Sequence, residues 1–411
     1  MNISNERLLE IYGESEESKK RFEKLERDYI ESFGQSDTLE FFTSPGRTEI
    51  VGNHTDHNGG KVIAGSITMD TVACASVNGS DIIEIISEGY PDRIIVDLNN
   101  DSYVPKKTDT EALLYGMVAA IKAKGYKVKG FNAYVTTSVL PGAGVSSSAS
   151  FEMLFCTIAD YFFNENEIDY IEYAKIGQYA ENKYWNKSSG LMDQLACAVG
   201  GIIKLDFAGE VKYEKVPFDF GSFDYEFILV NSSESHANLS DVYSSVPNEM
   251  YEVAEAMNVK RLGDTSYEEF LDNIDQIATE IKDDRAILRA FHFYQENERV
   301  EALSKAMASM NSTDILSIIK ESGNSSWKYL QNCYVPGISK TEGVSYNLAL
   351  SETINQKLNG VCRVHGGGFC GVMLEVVPSD KAKEYIEFMA PKVGRENIFS
   401  MKVRSIGATH I

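Results

Sequence analysis

The sequence of 411 residues has few cysteines, fewer positive than negative charges and no long apolar run. Its six cysteines form no C-x-x-C pair and mostly stand in apolar segments, which favours buried, reduced thiols over a disulfide framework or a zinc site. The formal net charge of −22 argues against a general affinity for nucleic acid or anionic membranes. We find no basic-then-apolar leader and no segment long enough to span a bilayer, so we expect a cytoplasmic protein with no membrane partner.

The length and the order of the predicted elements indicate two domains. A chain of 411 residues exceeds the usual size of one compact core, and its content of 43% hydrophobic and 24% charged residues is ordinary for a globular protein. Strands are predicted over residues 200–207, 211–216 and 225–230. We therefore expect a domain crossing near residue 205, with one lobe over residues 1–205 and the other over 206–411.

A glycine- and serine-rich stretch, residues 140–150 (LPGAGVSSSAS), follows a predicted strand over 131–139 and precedes a predicted helix over 151–163. A strand, a Gly-Ser loop and a helix start are suited to phosphate, because free N–H groups and the helix dipole favour anionic oxygens. No Lys-Ser or Lys-Thr pair follows the glycines, so this is not a Walker loop. An ordinary turn that caps a helix is the alternative reading of the loop alone.

A second stretch, residues 44–60 (SPGRTEIVGNHTDHNGG), is dense in polar side chains between two apolar segments. A plain connecting loop has no need of an arginine, two histidines and an aspartate so close together, whereas the hydroxyls of a sugar would use them as hydrogen-bond partners. Metal ligation by His54, Asp56 and His57 is the less favoured alternative, because no further ligand stands at a recognisable spacing.

Helical spacing of apolar residues predicts further helices, and the C-terminal part alternates strand, helix and strand. The helices are predicted over residues 6–33, 109–124, 169–184, 285–310 and 345–358. After a glycine-rich entry at 365–371, a strand over 372–377, a helix over 379–389 and a strand over 398–403 indicate an α+β layout. His292 lies within the helix predicted over 285–310, and we expect it to be a packing residue.

Four stretches in this order resemble the motifs of galactokinases, a branch of the GHMP kinase superfamily. Residues 45–60 are similar to P-G-R-V-N-L-I-G-E-H-T-D-Y-N-x-G, residues 141–150 to G-x-G-L-S-S-S-A-S, residues 190–194 to G-I-M-D-Q and residues 366–371 to G-G-G-F-G-G. The resemblance covers the chain from about residue 40 onward. It implies an α+β, two-lobed GHMP kinase fold, with a mixed sheet and phosphate loop in the N-terminal lobe and a ferredoxin-like C-terminal lobe.

The resemblance also implies an activity: a kinase that uses ATP and Mg²⁺ to phosphorylate the anomeric hydroxyl of galactose or a galactose-like sugar. Sugar and ATP would be its partners, and we expect a monomer. The implied catalytic residues are Asp193, beside the anomeric hydroxyl, and Arg47, beside the alkoxide and the transferring phosphoryl group. Ser148 and Glu181 would hold Mg²⁺.

Two larger residue sets follow from the same resemblance. The implied phosphate contacts are Pro141, Gly142, Ala143, Gly144, Ser146, Ser147 and Ser148. The implied sugar contacts are Arg47, Asn53, His54, Asp56, Gly190, Asp193 and Tyr243. Gly367 and Gly368 would let the C-terminal lobe approach the substrate closely.

The sequence departs from the family pattern at several positions, among them Asn53, His57 and His365. Asn53 replaces a glutamate that accepts a hydrogen bond from a sugar hydroxyl remote from the anomeric carbon, while His57 and His365 replace a tyrosine and a threonine. An amide oxygen also accepts hydrogen bonds, so the change at Asn53 is either silent or alters the substrate, for example to galacturonate. N-acetylgalactosamine is a further candidate.

Two other functions agree less well with this pattern of motifs. A non-catalytic galactokinase-like sugar sensor would have lost part of the Ser-Ala run of the phosphate loop, and here residues 146–150 are complete. A GHMP kinase for a mevalonate-like or homoserine-like substrate would not need the polar run over residues 54–60.

Overall fold

A computed structural model describes residues 3–140, 144–187, 189–232, 240–335 and 342–411. Two β-sheets with helices packed on them form its frame. The strands of the described residues are β1 (Glu40–Val51), β2 (Lys61–Val77), β3 (Ile82–Ser87), β4 (Ile94–Asp97), β5 (Phe131–Thr137), β6 (Ile202–Asp206), β7 (Lys212–Val216), β8 (Tyr225–Asn231), β9 (Val361–Val364), β10 (Val372–Pro378), β11 (Ile398–Met401) and β12 (Thr409–His410).

The α-helices of the same residues cover both sheets and most of the stretch between residues 240 and 330. They are α1 (Asn5–Tyr12), α2 (Glu16–Phe33), α3 (Thr110–Ala123), α4 (Ser147–Phe163), α5 (Tyr170–Tyr184), α6 (Met192–Val199), α7 (Ser240–Ala256), α8 (Tyr267–Asp272), α9 (Ile274–Ile281), α10 (Asp284–Ala308), α11 (Ser312–Ser325), α12 (Gly343–Leu358) and α13 (Ala382–Val393).

The first sheet is mixed, as the resemblance implied. Its strand order is β12-β1-β2-β5-β3-β4, and β6 pairs with β2 and with β7. Only the β3–β5 pair among these described strands is parallel. The strands β7 and β12 come from beyond residue 205, so this sheet takes chain from both sides of the predicted boundary. The division into 1–205 and 206–411 stays a prediction.

The N-terminal helix α2 packs on the first sheet because its apolar residues recur at helical spacing. Phe22, Leu25 and Tyr29 are buried, and they join Phe41 and Cys74 in one core cluster. Burial of one such side chain stabilises the fold by about 1.5–3 kcal/mol. The predicted N-terminal helical segment is therefore two packing helices, α1 and α2.

The second sheet confirms the predicted ferredoxin-like layout. Its order is β11-β8-β10-β9, and every pair is antiparallel. In chain order these strands are first β8, then β9, β10 and β11, so their spatial order is 4-1-3-2. Helix α12 precedes β9 and helix α13 lies between β10 and β11, and both pack on this sheet.

The expectations for the cysteines and for His292 are confirmed. All six cysteines are buried and free. His292 is fully buried in α10, where its Nε2–H donates to the carbonyl of Asn53 at 2.8 Å and its Nδ1 lies 2.9 Å from Ser325 Oγ. Within the described residues, no helix combines the length and the apolar character that a bilayer crossing requires.

Candidate active site

The polar motif begins on a strand, β1, and not in a loop. The pairing of β1 with β2 shifts register between Pro45 and Arg47 and again between Glu49 and Val51. Such irregularities re-aim side chains, and both Arg47 and Glu49 line a cavity beside the strand. Gly46 is required here by close approach, since a Cβ at this position would lie 2.8 Å from the carbonyl oxygen of Val145.

The described part of the phosphate loop runs from Gly144 into α4. Gly144 has φ +68° and Ser146 has φ +61°, so the chain turns sharply before the helix begins at Ser147, four residues earlier than predicted. Ser147 and Ser148 thereby stand in the first turn of a 17-residue helix, where free N–H groups favour anionic oxygens. The predicted contacts Pro141, Gly142 and Ala143 lie outside the described residues.

Arg47, Asp193 and Ser146 meet between the phosphate loop and the cavity. Arg47 Nε donates to Asp193 Oδ1 at 2.8 Å, and Ser146 Oγ donates to Asp193 Oδ2 at 2.5 Å. Arg47 also donates to the carbonyl of Gly144, so one guanidinium holds both the carboxylate and the loop. Burial raises the pKa of Asp193, but the charges of Arg47 and Lys187 outweigh it and hold that pKa below its ordinary value. Asp193 is therefore an anion at neutral pH.

Ser148 and Glu181 also meet, as the resemblance implied. Ser148 Oγ donates to Glu181 Oε1 at 2.9 Å, and the Glu181 side chain is buried. Lys187 Nζ donates to the same Glu181 oxygen and, at 3.2 Å, to Ser148 Oγ. Two oxygens that share a lysine ammonium form a site suited to a cation. Lys187 is a site residue that sequence reasoning missed, and its only signal was its place between Glu181 and Asp193.

A second buried carboxyl group, that of Glu152, lies beside Glu181 and shares a hydrogen-bond donor with it. Gln194 Nε2 donates to Glu152 Oε2 at 3.0 Å and to Glu181 Oε2 at 3.2 Å. Burial and the charge of Glu181 raise the pKa of Glu152 well above its ordinary value. Glu152 is thus the neutral member of the pair, and Glu181 is the member that contacts Lys187.

The cavity beside Arg47 and Asp193 has a volume of about 170 Å³ and a polar lining. It brings together six of the seven predicted sugar contacts, from β1, from the turn after it and from the segment that leads into the first turn of α6. The lining residues among the predicted contacts are Arg47, Asn53, His54, Asp56, Gly190 and Asp193. A Cβ at Gly190 would overlap the carboxylate of Asp56, so a side chain at this position would displace that carboxylate.

His54 is held neutral in this cavity. Burial and the neighbouring His57 lower the pKa of His54 to about 3. Its Nε2–H donates to the carbonyl of Gly367 at 3.0 Å, so its Nδ1 carries a lone pair. That Nδ1 is buried and has no hydrogen-bond partner within the described residues. His54 can therefore accept a hydrogen bond from a ligand hydroxyl.

Asn53 is fully buried in the far wall of the cavity. Its Nδ2 donates to both carboxylate oxygens of Glu49, at 3.0 and 3.2 Å, and to the carbonyl of Gly366 at 2.7 Å. Its Oδ1 accepts from Asn332 Nδ2 at 2.8 Å. Both amide hydrogens of Asn53 are therefore already used within the protein.

The glycine-rich stretch over residues 366–371 forms part of the far wall of the cavity. The carbonyls of Gly366 and Gly367 accept from Asn53 and His54, so this run from the second sheet is joined to the motif that follows β1. Tyr243, the seventh predicted sugar contact, does not line the cavity: it lies behind Gly367, and its hydroxyl donates to the carbonyl of Gly368 at 3.0 Å. A Cβ on Gly367 would lie 2.6 Å from the Tyr243 ring.

A second cavity, of about 450 Å³, opens on the other side of the phosphate loop. Its lining combines aromatic and aliphatic side chains with polar groups and reaches Ser147 and Ser148. The lining residues that sequence reasoning missed include Tyr90, Arg93, Ile94, Leu113, Phe151 and Trp185. They come from separate strands and helices and share no motif, so no local pattern marked them.

The alternative of a metal site at His54, Asp56 and His57 finds no support. In the part of the chain that the structure describes, no group of three or more His, Cys, Asp or Glu side chains is arranged to hold a metal ion. His57 Nε2 lies 3.5 Å from Asp56 Oδ1.

Two family models match this chain. The galactokinase galactose-binding signature matches residues 27–77, and the N-terminal domain of GHMP kinases matches residues 112–201. Among curated proteins, the galactokinase of Lactococcus lactis subsp. lactis (strain IL1403) is 31% identical over 372 residues, which is 88% of each chain. The galactokinase of Clostridium tetani is 27% identical over 362 residues, 87% of this chain and 88% of that one.

The solved structures agree with these matches. The crystal structure of Lactococcus lactis galactokinase complexed with galactose is 27% identical, with a TM-score of 0.81 over 95% of this chain and 100% of that chain. A mevalonate kinase, 17% identical with a TM-score of 0.62 over 89% of this chain and 99% of that one, shows the fold alone. With its motifs gathered around one cavity and its relatives aligned over most of their length, this chain belongs to the galactokinase family and is a sugar kinase with the GHMP fold.

Proposed function

We propose that this protein uses ATP to phosphorylate galactose at its anomeric hydroxyl. The observation that carries the proposal is the contact of Arg47, Asp193 and Ser146 at the boundary between the small polar cavity and the phosphate loop. A group in the small cavity and a phosphate at the start of α4 would meet at this point. We take galactose as the sugar because the aligned relatives are galactokinases.

In this proposal Asp193 orients the sugar hydroxyl and takes its proton. Its low pKa keeps it ionised, which suits a hydrogen-bond acceptor that fixes a nucleophile but makes it a weak base. Arg47 then balances the charge that develops on the sugar oxygen and on the transferring phosphoryl group. Ser146 donates to the second carboxylate oxygen and so fixes the rotation of Asp193.

The first turn of α4 would receive the phosphates of ATP. Its free N–H groups and the hydroxyls of Ser147 and Ser148 offer hydrogen bonds to anionic oxygens in a chain that is otherwise strongly acidic. The aromatic and aliphatic walls of the second cavity, such as Phe151 and Trp185, suit a flat purine base. Gly142 and the other residues of the loop tip stay predicted phosphate contacts.

Ser148 and Glu181 fit the Mg²⁺ that such a kinase requires. Both supply oxygen donors, which a hard cation prefers, and the ammonium of Lys187 already occupies the same pair of oxygens. When bound, Mg²⁺ supplies charge neutralisation for the phosphate oxygens. Lys187 would release Glu181 at that stage and offer its own charge to the phosphates.

For the sugar, we propose contacts to Arg47, His54, Asp56, Gly190 and Asp193, all of which line the small cavity. His54 Nδ1 and the Asp56 carboxylate would accept from hydroxyl groups. Tyr243 stays a predicted contact that would need the wall at Gly367 to move. The monomeric state and the cytoplasmic location also stay predictions.

The test is an assay of ATP consumption with galactose, galacturonate, N-acetylgalactosamine, arabinose and glucose, in which the phosphorylated carbon is identified by NMR. We expect galactose 1-phosphate as the main product and a strongly reduced rate of its formation in an Asp193→Asn variant. Turnover of another sugar in preference to galactose would refute the substrate but not the mechanism. Binding of ATP and galactose without turnover would indicate a sugar sensor.

A further inference from the structure

A buried carboxylate that sequence reasoning did not consider, Glu49, lies in the wall of the small cavity. Its side chain is 3% exposed and lines the cavity together with Arg47, two residues earlier on β1. Glu49 Oε1 accepts from Arg363 NH2 at 2.9 Å and from Asn53 Nδ2 at 3.0 Å. Glu49 Oε2 accepts only the longer bond from Asn53, at 3.2 Å, among the described residues. A carboxylate oxygen has room for further donors.

Glu49 forms an ion pair with Arg363 although both side chains are buried. The guanidinium of Arg363 is itself fully buried and also donates to the carbonyl of Ile50, so it is fixed against this strand. Burial raises the pKa of Glu49, while the charges of Arg363 and Arg47 oppose that rise. A buried charge of this kind is stable only with such partners.

Asn53 cannot supply a donor to the sugar, because Glu49 and Gly366 use both of its amide hydrogens. The similar motif P-G-R-V-N-L-I-G-E-H has asparagine where this chain has Glu49 and glutamate where it has Asn53. The two residue types are thus exchanged, and the two side chains contact each other. One carboxylate and one amide are kept in this wall, with their positions reversed.

We infer that Glu49 is the specificity-determining residue in this wall and that it accepts a hydrogen bond from a neutral sugar hydroxyl remote from the anomeric carbon. This inference rests on the proposed function, because Arg47 and Asp193 mark the anomeric end of the cavity. An exchange at Asn53 alone would favour a sugar with a carboxylate at this end. With Glu49 in contact with Asn53, such a sugar meets a like charge and is excluded.

The test pairs changes in the protein with changes in the substrate. Wild type and Glu49→Gln are compared for kcat/KM with galactose and with the 2-, 3-, 4- and 6-deoxygalactoses. Glutamine keeps the shape and an acceptor but loses the charge. We expect kcat/KM for galactose to fall about tenfold to a hundredfold, and the same mutation to cost far less with one remote deoxysugar. An equal loss with every sugar would show that Glu49 acts only on the structure and would overturn the inference.

A matched control separates an effect at the cavity from the general effect of replacing a buried glutamate by glutamine. Glu375 on β10 is also fully buried and accepts from Asn355 at 3.0 Å, but it does not line the cavity. We expect Glu375→Gln to leave the relative rates with galactose and the deoxysugars unchanged. A change in those relative rates as large as that of Glu49→Gln would contradict the inference.

If Glu49→Gln does not fold, the double variant Glu49→Asn with Asn53→Glu keeps one carboxylate and one amide at the same net charge. We expect it to be more stable than Asn53→Glu alone, which sets two carboxylates against each other, and to keep its preference for galactose over galacturonate. Loss of that preference in a folded double variant would overturn the inference.

Calorimetric binding of galactose and the deoxysugars, without ATP, gives a readout that does not need turnover. If the wild type binds galactose but phosphorylates no sugar, the proposed function fails while the role of Glu49 is still measured. Weaker binding of galactose to Glu49→Gln, with little change for one deoxysugar, would support the inference. Unchanged binding of galactose would refute it.

Discussion

The two ends of the small cavity are built differently. At the reactive end, Arg47, Asp193 and Ser146 lie within or next to recognisable motifs, and each motif supplies a group whose chemistry is clear from its type. At the far end, Glu49, Asn53, Asn332, Arg363 and Gly366 come from three segments that are distant in sequence. In the proposed function the first end performs a reaction, which requires fixed residue types. The second end needs only a complementary set of donors and acceptors, and several residue combinations provide one.

The largest expected effect is at the reactive end, for Asp193→Asn. The amide keeps the shape but removes the charge that orients the hydroxyl and accepts its proton, so we expect kcat to fall by about 10²–10⁴. The measurement is steady-state ATP consumption with galactose, and ATP binding measured separately should be retained. A kcat within tenfold of wild type would show that the division between a reactive end and a binding end is wrong.

Glu181→Gln should affect the metal requirement at the same end. Without the carboxylate charge, this pair offers Mg²⁺ only neutral oxygen atoms. We therefore expect the Mg²⁺ concentration for half-maximal rate to rise by about tenfold or more. A Mg²⁺ titration at saturating ATP and galactose measures this effect. Glu172→Gln on the same helix is the control, since Glu172 pairs with Lys124 and Lys175 at the surface.

At the far end, Arg363→Met should act mainly on stability. It leaves the carboxylate of Glu49 buried without its cationic partner, and we expect the free energy of unfolding to fall by about 3–5 kcal/mol. The pKa of Glu49 would rise further, so the loss should shrink as the pH falls and Glu49 becomes protonated. Urea unfolding at two pH values measures both effects. A loss that is the same at both pH values would mean that Glu49 is not the group left unpaired.

The smallest expected effect is on the pH profile. Asp193 acts as an anion, and its pKa is below its ordinary value, so kcat/KM should stay constant from neutral pH downward and fall only as the pH passes below about 4. Lys187→Met removes one of the two charges that lower this pKa and should move the acid limb to higher pH. Lys183→Met, an exposed neighbour at the end of α5, should not. An unmoved limb in Lys187→Met would mean that Arg47 alone sets the pKa.

Much of the fold followed from local patterns. Apolar spacing marked α2, α5 and α10, and the strand-helix-strand order marked the second sheet. The strand over residues 44–51 was harder to predict, because its polar side chains obscure the strand pattern. Residues 44–51 are buried on both sides, so the alternation that marks a half-exposed strand is missing.

The catalytic contacts could be predicted because chemistry limits them to few residue types. Asp193 with Arg47, and Ser148 with Glu181, lie in contact as the resemblance implied. Lys187, the second cavity and the hidden position of Tyr243 could not be predicted in this way. Each depends on how separate elements pack, and no spacing within one motif encodes that packing.

The sequence by itself determined which groups are available for the reaction, because the motifs contain the residues that we propose to bind phosphate, hold a cation and orient a hydroxyl. The tertiary structure alone decided what each group can still offer to a ligand. From the sequence, Asn53 was a candidate for substrate recognition. In the structure its amide hydrogens are bonded to Glu49 and Gly366. The physical reason is that an amide hydrogen already bonded within the protein is not available to a ligand, and only the folded chain brings its acceptors together.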